Sequence, residues 1–66
     1  MNLKNKTIDQ LKKELTVGTW IECYYGNGKL HSVEQVTKVS EKSIWIGDFR
    51  ESWNTVKESF DNGIYK

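Results

Sequence analysis

The chain has 66 residues, with ten Lys and Arg against nine Asp and Glu and a net charge of +1. This length predicts one domain, residues 1–66, with a small core. The balanced charge gives no electrostatic reason to expect a nucleic-acid or membrane partner. The only cysteine, Cys23, excludes an internal disulfide, and residues 1–6 do not read as the start of a signal peptide, so the sequence predicts a cytoplasmic protein.

The first predicted element is a short helix over residues 7–15, which follows a polar, flexible segment at residues 1–6. Thr7 and Gln10 in TIDQ have the spacing of a capping box, in which each side chain bonds the other residue's backbone N–H. Gly18 then ends the helix. Its apolar stripe consists of Ile8, Leu11 and Leu15. About two turns of helix are not stable alone, so this stripe must be covered by the sheet.

Residues 19–49 are predicted to form a three-stranded meander. In the first strand, residues alternate between two faces, and Ile21 and Cys23 are assigned to the core. Asn27 and Gly28 predict a primed hairpin turn with positive φ at both residues.

The second strand contains Val33, Val36 and Val39, whose spacing of three cannot stay on one face of a regular strand. A bulge near Glu34 or Gln35 would bring them together. Glu41 and Lys42 form the next turn in this prediction. The third strand directs Ile44 and Ile46 inward and Trp45 outward.

The last third is predicted as a helix over residues 51–61 and a short edge strand at residues 64–66. The helix has an apolar stripe of Trp53, Val56 and Phe60. Asp48 or Ser52 would cap its N-terminus, and Asn62-Gly63 would terminate it.

These elements predict an α+β fold with a small twisted antiparallel sheet or an SH3-like barrel. The barrel or sheet would comprise the three-stranded meander and the short C-terminal strand, with one helix before the meander and one before the last strand.

The segment VTKVSEKSIWI at residues 36–46 lies between VGT at residues 17–19 and the later Phe49, Arg50 and Gly63. This pattern resembles a class of small uncharacterised domains common in bacteriophages and prophages. The resemblance implies an SH3-like fold and a phage-type origin, and it implies no activity. The chain departs from the pattern by inserting the helix between Arg50 and Gly63.

The sequence offers little that could carry catalysis. His31 is the only histidine and is interpreted as a solvated loop residue, while Cys23 is interpreted as a buried, inert thiol. One His and one Cys cannot supply a nucleophile, a base and an orienting group, nor the three or four ligands of a zinc site. We therefore expect no enzyme activity, no catalytic residue, no metal and no cofactor.

Aromatic residues are the strongest functional signal, with three Trp, three Tyr and two Phe in the chain. Alternation places Trp20, Tyr24 and Trp45 together on the face opposite the aliphatic residues. An exposed aromatic patch on a small domain usually has a partner. The alternative is that the N-terminal helix covers this face.

Three functions follow from the exposed patch. The first is a non-enzymatic protein-binding module, such as a phage-encoded modulator or inhibitor of a host protein, with the three rings as anchors. The second is a small nucleic-acid-binding barrel, in which bases stack on the rings beside four cations. These cations are Lys29, Lys38, Lys42 and Arg50. The third is sequestration of a nucleotide-like small ligand in a pocket, which either one chain or a homo-oligomer could form.

Overall fold

The computed structural model describes residues 2–66 and contains two helices and one four-stranded antiparallel sheet with strand order β1-β2-β3-β4. The elements are α1 (Ile8–Glu14), β1 (Trp20–Tyr24), β2 (Leu30–Val39), β3 (Ser43–Ile46), β4 (Phe49–Ser52) and α2 (Trp53–Asp61). The α+β prediction is confirmed. The sheet is open, so a closed barrel is not what the chain forms.

Helix α1 begins at the predicted capping box. The Gln10 N–H donates to Thr7 Oγ1 at 3.2 Å, and the Thr7 N–H donates to Gln10 Oε1 at 2.9 Å. These bonds satisfy two N–H groups that the first helical turn would otherwise leave unpaired. Leu11 and Leu15 are fully buried, and Ile8 packs beside them at the edge of the core.

The β1–β2 hairpin has a three-residue loop rather than the predicted two-residue primed turn. The Tyr25 N–H donates to the Lys29 carbonyl at 2.8 Å, and only Gly28, with φ of +85°, has positive φ in the loop. This is the pattern of a turn followed by a single left-handed residue. Asn27 therefore does not adopt the predicted conformation, and its side chain instead accepts from the Lys29 N–H at 3.0 Å.

Strand β2 contains two irregularities, and neither lies at the predicted bulge. One leaves His31 without a partner opposite Cys23 and Tyr24, and the other leaves Thr37 unpaired between Val36 and Lys38. The second irregularity brings Val36 and Val39 to the core side. Val33 stays on the other face and is 47% exposed, so its assignment with the other valines is wrong.

Strand β4 was not expected from the sequence. Ile46 pairs with Phe49 across the two residues Gly47 and Asp48, and Gly47 has φ of +61°. Glycine at the first of two loop residues is typical of a tight hairpin, so the chain reverses here and pairs with β3 as far as Ser52. Helix α2 consequently begins at Trp53 instead of residue 51. The Ser52 side chain accepts from the Thr55 N–H at 3.2 Å and caps the helix.

The hydrophobic core lies on one side of the sheet, where both helices pack. It consists of Leu3, Leu11, Leu15, Ile21, Val36, Ile44, Ile46, Trp53, Val56 and Phe60. The buried Trp53 satisfies its indole N–H by donating to the Ser40 carbonyl at 2.9 Å. We call this side of the sheet the inner face and the opposite side the outer face.

The N-terminal segment is attached to α2, although residues 1–6 were predicted to be flexible. Leu3 is 5% exposed and belongs to the core. The Asn5 N–H donates to Asp61 Oδ1 at 2.7 Å, and Lys57 Nζ donates to the Lys6 carbonyl at 2.8 Å. Residue 1 lies outside the described residues, and residues 3–6 contact the helix through these groups.

The C-terminal residues pair with the free edge of β1, as predicted for an edge strand. The Glu22 N–H donates to the Lys66 carbonyl at 2.9 Å, and the Tyr24 N–H donates to the Ile64 carbonyl at 2.7 Å. From this position, the Tyr65 hydroxyl donates to Glu51 Oε2 on β4 at 2.6 Å. The two edges of the open sheet are thus connected by a side-chain hydrogen bond rather than by strand pairing.

Candidate functional site

The outer face is covered by neither helix. Residues that are directly paired in an antiparallel sheet point to the same side, and the register gives this face to Trp20, Glu22, Tyr24, Leu30, Val33, Gln35, Lys38, Trp45 and Arg50. Leu11 and Leu15 of α1 are buried with Ile21 on the inner face. The alternative in which the N-terminal helix covers the aromatic rings is therefore wrong.

The three predicted rings differ in how much of their surface is free. Trp20 is 59% exposed, while Tyr24 and Trp45 are partly buried. A lysine lies over each of the latter two: Lys66 Nζ is 4.7 Å from the Tyr24 ring centroid and Lys38 Nζ is 4.6 Å from that of Trp45. Partial burial, with the Glu22 carboxylate adding to it, raises the pKa of Tyr24.

Aliphatic residues extend this aromatic surface. Leu30 is paired with Tyr24 and is 52% exposed, and Val33 is paired with Glu22 and is 47% exposed. Sequence reasoning missed both, because it groups Val33 with the core valines and assigns no face to Leu30. Regular pairing with β1 puts Val33 on the outer face, and the first β2 irregularity brings Leu30 to the same face.

The four predicted cations are not brought together. Two of them flank Trp45, which is paired with Lys38 on β2 and with Arg50 on β4. Lys29 follows the β1–β2 loop, and Lys42 lies in the β2–β3 turn near Trp53 on the inner side. Lys66 joins the outer face instead, a position that depends on the pairing of the C-terminal strand with β1.

A separate, concave site lies on the inner face, beyond the edge of the core. This inner cavity has a volume of about 420 Å³, which is within the range of small-ligand sites. It is lined by five aromatic residues, two carboxylates and one thiol. The residues that supply them are Tyr24, Tyr25, His31, Phe49, Tyr65, Glu34, Glu51 and Cys23.

The β2 irregularity contributes His31 to this cavity. The His31 ring stacks edge-on against Tyr25, with 4.7 Å between ring centroids and an interplanar angle of 84°. His31 Nδ1 lies 3.0 Å from Ser32 Oγ. The residue interpreted as a solvated loop histidine is exposed, but it is part of a strand and of a cavity wall.

The ionisable side chains that line the cavity include two carboxylates, Glu34 and Glu51, and one thiol, Cys23. Burial raises the pKa of the Cys23 thiol, and the nearby carboxylates of Glu34 and Glu51 raise it further. Cys23 is consequently a protonated, weakly reactive thiol at neutral pH. Within residues 2–66, no three His, Cys, Asp or Glu side chains are close enough together to hold a metal ion.

The two carboxylates are held differently. Glu51 accepts the hydrogen bond of Tyr65, and burial together with this bond raises the pKa of the Tyr65 phenol. Glu34 is paired with the buried Ile21, and its carboxylate lies over Gly47, where a Cβ would be 2.9 Å from Oε1. Neither carboxylate forms a salt bridge within residues 2–66. The salt bridge in this part of the chain joins Lys57 and Asp61, at 3.0 Å.

Fold and surfaces together define a small α+β domain with an open antiparallel sheet, an aromatic outer face and an acidic, ring-lined inner cavity. Comparisons of the chain with protein-family models, curated proteins and solved structures found no match. The phage-type resemblance and the functions drawn from the sequence therefore stay predictions. Neither helix described here is long and apolar enough to cross a membrane.

Proposed function

We propose that the protein is a non-enzymatic protein-binding module that contacts its partner through Trp20, Tyr24 and Trp45. The observation that carries this proposal is the uncovered outer face, where Trp20 is 59% exposed beside Leu30 and Val33. Contiguous exposed apolar residues on a small monomer are typical of interaction sites. Trp and Tyr are also the residues that most often dominate the binding energy of an interface.

The charges around the rings favour an acidic partner surface. Lys38, Arg50 and Lys66 surround the rings, and Glu22 is the acidic residue among them. The ammonium groups over Tyr24 and Trp45 are on flexible side chains, so they can move to a partner's carboxylates and free the rings for contact. With the phage-type resemblance, this supports a modulator or inhibitor of a host protein. The single free Cys23 supports a cytoplasmic location.

Site-specific photo-cross-linking tests the proposal. A photoreactive phenylalanine analogue replaces Val33 at the centre of the outer face, and in a matched control it replaces Glu58, which is exposed on α2. We expect a cross-linked partner from a bacterial lysate at position 33 and not at position 58. The Trp20→Ala, Trp45→Ala double variant should lose the product, whereas Phe49→Ala on the inner face should keep it. A product that survives the double variant would exclude the rings from the interface.

Nucleic-acid binding is a second candidate because Lys38, Trp45 and Arg50 form a cation–ring–cation row across three adjacent strands. Single-stranded nucleic acids bind to surfaces that combine stacking rings with basic side chains. Tryptophan fluorescence should be titrated with single-stranded and duplex DNA at low and moderate salt. A salt-dependent change that Lys38→Ala and Arg50→Ala weaken would favour this candidate over a protein partner. No change at low salt would eliminate it.

Sequestration of a nucleotide-like ligand is not supported by the inner cavity. Its wall contains Glu34 and Glu51 and has neither Lys nor Arg. Two carboxylates repel phosphate groups, so any ligand of this cavity must have a different charge.

A further inference from the structure

The inner cavity has the composition of a cation site, and apart from Tyr24, which it shares with the proposed protein-binding surface, its lining lies away from that surface. We propose that it binds a compact organic cation, an alkylammonium or guanidinium group. The group can come from a free small molecule or from a Lys or Arg side chain of a peptide. This inference does not depend on the function proposed for the outer face.

The carboxylates provide the charge. Glu34 on β2 and Glu51 on β4 both line the cavity, and no cation of residues 2–66 neutralises either of them through a salt bridge. The surrounding apolar side chains lower the local dielectric, which strengthens the attraction between a carboxylate and a cation. Because Tyr65 orients Glu51 through a 2.6 Å hydrogen bond, this carboxylate is positioned before a ligand arrives.

The rings provide the walls. Tyr25, His31, Phe49 and Tyr65 come from four different segments and line the cavity together with Tyr24. Phe49 is 76% exposed, the largest exposed fraction among the large hydrophobic residues. A phenylalanine at the mouth of an acidic cavity can close over a bound cation, which the negative faces of aromatic rings attract.

Four of the five cavity rings also differ from the other rings of the protein. Lysine ammonium groups of the described chain lie over Trp45, Tyr24 and Trp53. None lies over Tyr25, His31, Phe49 or Tyr65. Lys66, which lies over Tyr24, forms no salt bridge with Glu34 or Glu51, so a cationic ligand would supply the charge that these carboxylates lack.

Choline and 3,3-dimethyl-1-butanol form a matched probe pair, because they have nearly the same shape and differ in charge. Each is titrated into the full chain, and amide and ring shifts of Tyr25, His31, Phe49 and Tyr65 are followed by NMR. We expect saturable shifts with choline and at least about tenfold weaker binding of the neutral alcohol, because the ring faces and the two carboxylates attract only the charged probe. Equal binding of both probes would overturn the proposal, as would the absence of saturation with choline and with butylguanidinium.

Variants separate the contributions. Glu34→Gln removes a charge and leaves the Tyr65–Glu51 bond intact, so a folded protein with at least about fivefold weaker choline binding is expected. Phe49→Ala should also weaken binding, and the Trp20→Ala, Trp45→Ala variant should not change it. Unchanged affinity in both Glu34→Gln and Phe49→Ala would contradict the site, even if the outer face binds its partner normally.

Peptide ligands distinguish the two sources of the cation, a free small molecule and a side chain of a partner. Five-residue peptides with a central Lys, trimethyl-Lys, Arg or norleucine are compared with choline and butylguanidinium. Binding of a cationic peptide at least about tenfold tighter than the free cations, and tighter than the norleucine peptide, identifies a partner side chain. Binding of free cations alone identifies a small molecule. Equal affinity of the norleucine peptide and the cationic peptides would show that charge plays no role in binding.

Discussion

The Tyr65 hydroxyl is the only hydrogen-bonding group described here that connects the C-terminal strand to β4, and Tyr65→Phe removes it without changing the ring. Its bond to Glu51 Oε2 is 2.6 Å long. Hydrogen bonds to charged groups contribute about 1.5–3 kcal/mol when well buried. Both side chains are only partly buried, which reduces this contribution. We therefore expect Tyr65→Phe to lower the free energy of unfolding by about 1–1.5 kcal/mol.

The assay is urea unfolding followed by tryptophan fluorescence at neutral pH. For a domain of this size the loss corresponds to a decrease in Tm of about 5–10 °C, with the urea m-value unchanged. Tyr25→Phe is the matched control. Its hydroxyl makes no hydrogen bond within residues 2–66, and the residue is 55% exposed. The free energy of unfolding of this control should stay within about 0.5 kcal/mol of that of the parent protein.

The pH dependence supplies a second readout. Burial raises the pKa of Tyr65, so the folded state favours the neutral phenol. This stabilisation is fully present below the unfolded-state pKa of about 10 and is lost as pH rises toward the higher folded-state value. The stability difference between the parent and Tyr65→Phe should therefore narrow above about pH 10. A difference that is absent at pH 7, or constant up to pH 11, would refute the connection between the sheet edges.

Three further changes test other parts of the structure by urea unfolding. Leu3→Ala should cost about 2 kcal/mol because Leu3 is 5% exposed; a cost below about 0.5 kcal/mol would mean that the N-terminal segment is not docked. The Asn5 backbone N–H, and then Lys57, hold the pKa of Asp61 below its usual value, so Asp61 stabilises the fold above about pH 4 and this contribution is lost at lower pH. The parent should accordingly be more stable than Asp61→Asn at pH 6 and lose that advantage in acid; a pH-independent difference would contradict this. Gly47→Ala should cost about 1–2 kcal/mol because φ is +61°, while Gly26→Ala, in open space without positive φ, should be nearly neutral; equal costs would contradict the β3–β4 turn.

Local patterns predicted much of the fold. The capping box at Thr7 and the apolar stripes of both helices depend on residues three and four apart, and the structure contains both. Alternation in β1 also placed Trp20 and Tyr24 correctly on the face opposite Ile21. These features are encoded by neighbouring residues, so they can be read without knowing the tertiary contacts.

The missed features depend on exceptions to a regular strand or on distant contacts. Strand β4 follows from a two-residue reversal at Gly47, and the position of His31 follows from its lack of a partner in the β1–β2 pairing. The hydrophobic pattern alone does not locate such irregularities. Leu3 has no periodic neighbours, and its burial depends on α2, more than fifty residues away. The inner cavity depends on strand β4 and on the position of His31, so the hydrophobic pattern alone does not reveal it.

Acrylamide quenching of tryptophan fluorescence tests most directly whether the helices leave the outer face uncovered. Trp53 is 3% exposed and Trp20 is 59% exposed. We predict that the parent protein contains readily quenched emission and that Trp20→Phe, Trp45→Phe retains only blue-shifted, weakly quenched emission from Trp53. Readily quenched, red-shifted emission from that folded variant would contradict the placement of both helices on the inner face.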